Sequence, residues 1–312
     1  MGRFMATQIQ AQAPAKAAPL ANASLSRRAK KYIWGSLFLL PAVLIFLLFL
    51  WVPIAKGIGY SFYQVDFVSG NTFIGLQNYK EVLGNPDFYI AIKNTLYYMG
   101  LALVVGFWVP IAMAIGVSEL KWFQGPARII GYLPSIIPAI VLYGMWQWFY
   151  DPIGPINSFL NFVGLPSFDF YSKEHAMFSL VILETWQNFG SATLIYIAGL
   201  SAIPKDTYEA AELDGAGVWG RIRYVTLPGI KNLILLLLVL QLISTSQAFQ
   251  SQLLMFGGGP DNGTLTYLLL TTREAFTYFN FGKASAMGVL MFIFLVGFSL
   301  LTMKLRKGGD EE

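Results

Sequence analysis

Cysteine is absent from the 312-residue sequence, and His175 is its single histidine. Without cysteine the chain can form no disulfide, no thiolate metal site and no cysteine nucleophile, and one histidine excludes a multi-histidine metal centre. Charge is scarce as well: 12% of residues are Asp, Glu, Lys or Arg, against about 25% in ordinary soluble domains. No Gly-Lys-Ser/Thr ending follows a glycine loop anywhere, the stretch Gly257-Gly258-Gly259-Pro260 included. The chain therefore offers no phosphate cradle of the P-loop kind. No nucleophile, base and orienting acid stand out as a set, so no catalytic residue is expected. With 55% of residues hydrophobic, the composition is that of a polytopic membrane protein.

What is present is apolar length. Apolar runs fall at about 33–55, 90–117, 127–149, 176–200, 230–252 and 284–304, each near or above the roughly 20 residues that a helix needs to cross a bilayer. Six crossings put both termini on one side. Placing that side in the cytoplasm gives it fifteen of the 21 Lys and Arg, among them Arg27, Arg28, Lys30, Lys31, Lys121, Lys205, Arg221 and Lys304, as the positive-inside bias requires. The pI near 9.1 thus reports topology rather than a nucleic-acid partner. Residues 1–31 have little to bury and end on a basic cluster, so a disordered cytoplasmic tail that meets lipid headgroups is expected. A signal peptide competes with that reading, but the run that follows is longer than a signal h-region and no small-x-small cleavage site closes it. Residues 308–312 form a second short tail. The expected fold is an all-α integral membrane protein, six transmembrane helices within 32–307, with cytoplasmic N- and C-termini.

Between the fourth and fifth runs lies a polar island, 201–229. Asp206 followed by Glu209 has the spacing of a capping box, Ala210 and Ala211 favour helix, and Gly215 suits the position just past a helix end. Isolated helices of two or three turns are marginal in water. One tethered between two spans calls for a surface to pack on, and a partner protein is the expected one.

The segment Glu209-Ala210-Ala211, three residues ending in Asp214, then Gly215, nine residues, and Val225-x-Leu227-Pro228 resembles the EAA loop of ABC importer permease subunits. Valine at 225 in place of isoleucine is the one departure. The resemblance implies a type I ABC importer permease fold and a coupling helix at Glu209, Ala210, Ala211, Asp214, Gly215, Leu227 and Pro228. It also implies two separate ATPase subunits that hold the ATP and Mg, a second, non-identical permease, and an extracytoplasmic solute-binding protein. Phe73-Ile-Gly75-Leu76-Gln-Asn78-Tyr79 with Asn94-Thr95, Leu133-Pro134 through Asn157, and the Gly258-Gly259-Pro260 loop with Thr264 are similar to the carbohydrate branch of that family. A sugar is the implied solute, with a bacterial inner-membrane location.

Polar side chains inside spans are costly and hence informative. Gln241, Ser244, Thr245, Ser251 and Gln252 sit at offsets that share one face of a continuous helix. Glu184, Trp186, Gln187 and Asn188 combine a ring able to stack on a sugar with amides able to bind hydroxyls. Both groups are candidates for a solute path, and both could instead bond helix to helix. Glu184 could equally pair with a neighbouring helix, and His175 reads as an interfacial or loop residue. A glycerol-phosphate or other anionic solute would call for Lys or Arg inside the spans, and an ion-coupled secondary transporter would call for an internal repeat and more deep ionisable groups. Neither feature is evident.

Overall fold

The structure is a computed structural model and describes residues 21–119 and 124–309. The chain divides into two units, 1–56 and 57–312.

The first unit contains α1 (Ala21–Phe46), a π turn at Leu47–Trp51 and the opening of α2 (Val52–Tyr60). From Tyr32 to Tyr60 the run is 29 residues with mean hydropathy 2.8, about 43 Å at 1.5 Å per residue. Helix starts at Ala21, so the basic stretch 27–31 that composition assigns to a disordered tail lies inside α1. Ala, Leu, Arg and Lys are good helix formers, and extending an existing helix avoids the cost of nucleation. Residues 1–20 lie outside the described residues.

In the second unit a short antiparallel ribbon comes first, β1 (Tyr63–Gln64) against β2 (Thr72–Phe73), with Tyr63 opposite Phe73. It is followed by α3 (Gln77–Gly84). A continuous run then goes through α4 (Pro86–Leu101), a π turn at Ala102–Gly106 and α5 (Trp108–Glu119). Asn85 caps α4 by accepting from the Asp87 amide, and Pro86 sits where a missing N–H costs nothing. The window expected at 127–149 is broken. Helix α6 (Gln124–Ile136) and α7 (Ala139–Tyr150) meet at Pro138, and the segments 128–136 and 139–162 are bent by 101°. Proline lacks the N–H that would continue the ladder. Helix α8 (Pro155–Phe162) leads to α9 (Ala176–Ser201).

The polar island folds as α10 (Lys205–Leu213), α11 (Val218–Arg221), a π turn at Ile222–Thr226 and α12 (Leu227–Gly229). A 66° bend separates it from α13 (Lys231–Ser246). Helices α14 (Tyr267–Phe276) and α15 (Phe281–Gly309) complete the fold. By length and composition, Tyr32–Tyr60, Pro86–Glu119 and Phe281–Leu300 can cross a membrane, and each bent pair can supply one more crossing, five in all. Helix α9 has the length, 26 residues, but carries Glu184, Gln187 and Asn188 at its middle.

Three apolar clusters hold the second unit. One joins α4, α7 and α9 through Tyr98, Leu142, Trp146 and Leu180. Another joins α4, α14 and α15 through Phe88, Leu269 and Met287. The third joins α5 and α9 to Ile230 through Ile111, Ala114, Tyr196 and Leu200. The asparagines of the sequence motifs clamp loops to these helices. Buried Asn78 donates to the Ser61 and Tyr63 carbonyls, Asn94 to those of Asn262 and Leu265, and Asn157 to those of Asp151 and Phe168.

Helices α6 and α9 approach backbone to backbone. A Cβ placed on Gly190 would stand 1.8 Å from the Gly131 carbonyl oxygen, whereas one on Gly131 would meet only ordinary contacts of 3.6 Å or more, so it is α9 that can carry no side chain at the crossing. Gly190→Val should therefore destabilise by more than the roughly 1–3 kcal/mol typical of overpacking, read as a lower melting temperature of the detergent-solubilised protein. An unchanged melting temperature would contradict this crossing.

Candidate functional site

A cavity of about 600 Å³ opens among α4, α5, α7, α9 and α13. Its walls form where helical regularity fails. The π turn at Ala102–Gly106 places Gly106 against Thr185 of α9, where a Cβ would come within 2.7 Å of the threonine Oγ1. Opposite it, α13 stops at Ser246 and residues 247–249 are non-helical before a π turn at Gln252–Phe256.

That break corrects the expectation of one polar helical face from Gln241 to Gln252. Its cause lies in the side chains. Thr245 donates to the Gln241 carbonyl at 2.8 Å, Ser246 to that of Ile243 at 2.7 Å and Gln247 to the same Ile243 carbonyl at 3.3 Å. Such back-bonding competes with the helical ladder. The Thr266 hydroxyl takes the freed Ala248 carbonyl at 2.6 Å, which supplies the partner that broken backbone requires away from water.

Seven of the nine residues expected on a solute path nonetheless line this cavity: Glu184, Gln187, Asn188, Gln241, Ser244, Thr245 and Ser251. Two do not. Trp186 packs edge-on against Trp146, ring centres 5.5 Å apart, and Gln252 is fully buried, accepting from the Ser251 hydroxyl. Of the lining residues, Gln241 also bonds helix to helix, donating to the Ala102 carbonyl at 3.2 Å beside the π turn. Glu184 accepts from the Tyr143 hydroxyl at 3.2 Å on one oxygen and from Asn188 at 3.1 Å on the other. Its carboxyl group is thus held by α7 and by its own helix, and no cation meets it there.

Several lining residues escaped sequence reasoning, Tyr143 and Tyr196 among them. Tyr143 reads as an ordinary core aromatic. Tyr196 is buried and its hydroxyl has no protein partner. Buried tyrosine hydroxyls normally find one, so a tyrosine deep in a polar-lined span is the signal that could have marked them. None of the described lining residues is Lys, Arg or His. Amides, hydroxyls, one carboxyl group and aromatic rings suit a neutral, hydroxyl-rich solute. His175 lies elsewhere, at the N-terminal end of α9, with Nδ1 2.8 Å from the Ser172 hydroxyl.

The second candidate is the island around α10. The helix begins one residue before Asp206, with Pro204 at the cap position, so Asp206 faces the positive end of the helix dipole instead of capping it. The other end is a Schellman motif: Gly215 has φ +81°, its N–H bonds the Glu212 carbonyl, and the Ala216 N–H bonds that of Ala211. Glu209, Ala210 and Asp214 are exposed, and Ala211 is half-buried. Leu213 and Trp219 are 89% and 82% exposed, apolar surface that a lone domain rarely displays without a partner. Leu227 packs on the α5–α9 cluster while Pro228 stays exposed. The island is thus rooted at its base and bare at its tip.

With this geometry established, the comparisons with known proteins are consistent. The family described as binding-protein-dependent transport system inner membrane component matches residues 106–307. The arabinooligosaccharides transport system permease protein AraP of Bacillus subtilis (strain 168) is 32% identical over 286 residues, 90% of this chain and 89% of its own. A bacterial ABC transporter involved in import of the acidic polysaccharide alginate superposes with TM-score 0.81 at 26% identity, covering 91% of this chain and 98% of its own. A bacterial alginate ABC transporter in complex with an alginate pentasaccharide-bound periplasmic protein gives TM-score 0.79 at 27% identity, over 88% and 94%.

The bond from Gln241 to the Ala102 carbonyl can be tested on its own. Gln241→Met should lower stability by roughly 0.6–1.5 kcal/mol, seen as an earlier midpoint in detergent unfolding. No shift would mean that the amide serves the cavity alone.

Proposed function

Because the chain belongs to the family of binding-protein-dependent transport system inner membrane components, we propose that it imports a neutral sugar through its central cavity and is driven through α10 by a separate ATPase. It is a permease subunit of a sugar ABC importer in the inner membrane, working with an extracytoplasmic binding protein, a partner permease and ATPases. The observation that carries the cavity assignment is its lining: amides, hydroxyls, one carboxyl group and aromatic rings, with no Lys, Arg or His among the described lining residues. Polar groups at that depth are expensive unless they serve one another or a solute. The unpartnered Tyr196 hydroxyl is one that a sugar hydroxyl or water could satisfy.

Six crossings follow when α9 is counted with the three long helices and the two bent pairs. The excess of Lys and Arg beside alternate loops then favours cytoplasmic termini and a cytoplasmic α10. Glu209 has no ion pair among the described residues, so it is available to a basic residue of the ATPase. Ala210 and Ala211 permit close packing, and Gly215 turns the chain back. ATP-driven closure of the ATPase pair would draw the coupling helices together and shift the permease between inward- and outward-facing states, by the different affinity of ATP for the two. No catalytic or metal-binding role is assigned to this subunit.

A photo-crosslinking probe at Ala211 in native membranes should capture a P-loop ATPase, identified by mass spectrometry. Glu209→Lys, and Gly215→Pro, whose ring cannot adopt φ +81°, should abolish uptake while leaving membrane insertion intact. Capture of no ATPase by a folded protein, or normal transport in either variant, would end the coupling assignment.

A further inference from the structure

One side chain joins the bare tip of the cytoplasmic island to a membrane helix. Arg221 of α11 has a side chain only 18% exposed. Its Nη1 pairs with Glu212 in α10, its Nη2 lies 3.6 Å from the carboxylate of Glu119, the last residue of α5, and its Nε is buried without a partner among the described residues. Nearby, the Tyr208 hydroxyl of α10 meets the Thr226 hydroxyl at 3.2 Å, and Thr226 donates to the Arg221 carbonyl. The node therefore ties α10, α11 and α5 together.

Helix α5 leads from this node to the cavity. Pro110 lines it, with Phe107 and Gly106 just before, and α5 packs along α9 through Ile111, Ala114, Tyr196 and Leu200. The apolar contacts of Ile203 and Leu227 root the base of the island in the same cluster, but apolar packing is non-directional and tolerates sliding. A guanidinium fork held between two carboxylates has fixed directions, and one lysine ammonium could not reproduce that geometry. Its partial burial also reduces screening by salt.

We infer that Arg221 is a positioning residue for energy coupling: it locks α10 to the cytoplasmic end of α5, so that displacement of α10 by the ATPase moves the cavity wall rather than bending the island. The inference rests on the reading of α10 as the docking helix. The Glu119 arm is the link to a membrane helix, while the Glu212 arm stays within the island. Glu119→Gln should therefore cut the transmission and leave the docking surface folded.

The test needs no solute. In the intact importer in nanodiscs, Thr207 of α10 and Ala112 of α5, both exposed, are replaced by cysteine and spin-labelled, this chain having no cysteine of its own. The distance distribution is read without nucleotide and with Mg-ATP and vanadate, alongside crosslinking from Ala211. Unmutated at Glu119 and Arg221, the chain should give one narrow distance that does not change with nucleotide. Glu119→Gln and Arg221→Gln should each broaden or shift it on trapping, with the Ala211 crosslink retained in Glu119→Gln. A distribution in Glu119→Gln that stays narrow and unshifted overturns the inference, as does a nucleotide-dependent distance before mutation. Loss of the crosslink in Glu119→Gln also overturns it, since Glu119 would then support the docking surface itself. Absence of any crosslink before mutation overturns the docking reading, and this inference with it.

Discussion

In hydrocarbon no water is at hand to satisfy a stray amide or carbonyl, and the form of this protein follows from that constraint. Regular helix is the default because it satisfies its own backbone. Two departures in the second unit draw side chains to the backbone: the Gln241 amide adds a second donor to the Ala102 carbonyl, which keeps the Phe107 N–H of the π turn, and the Thr266 hydroxyl donates to the Ala248 carbonyl at the break after α13. Those two departures face one another across the same cavity. Irregular backbone and cavity coincide because the one is tolerated only where the other provides room and polar company.

The outline was legible because its signals are long or spaced. Apolar runs of twenty residues survive much local detail: helix fills most of each window, with the third broken before Ala139 and the fifth after Ser246. The glycine at 215 announced a left-handed turn, and φ +81° is there. Finer points depended on competition that one-dimensional patterns do not resolve. Asp206 had the spacing of a cap, but Pro204 fixes a backbone angle that starts the helix one residue earlier. Gln241 to Gln252 looked like one polar stripe, yet the Thr245 and Ser246 hydroxyls turn on the carbonyls of their own helix, which ends at Ser246.

In the site, chemical types were easier to foresee than their duties. Glu184, Gln187 and Asn188 reach the cavity, whereas Trp186, the ring chosen for stacking on a sugar, points away into an aromatic core with Trp146. At 3.6 residues per turn, positions 184, 187 and 188 share a face while position 186 turns away from it. Tyr143 and Tyr196, two of the aromatic residues that do line the space, come from positions that hydropathy alone cannot separate from core.

The crossing of α6 and α9 at Gly131 and Gly190 has a bearing on motion. Where two backbones touch, a slide of one residue would drive a Cβ into a carbonyl, so the pair is geared like a tooth in a slot and resists shear. Any change of shape that opens the cavity to one side and then the other must treat α6 and α9 as one beam. The Pro138 elbow closes one end of that beam, while the unwound residues 247–249 follow α13 in another wall of the cavity, so the helical ladder is already open at the two places where a change of shape would break least.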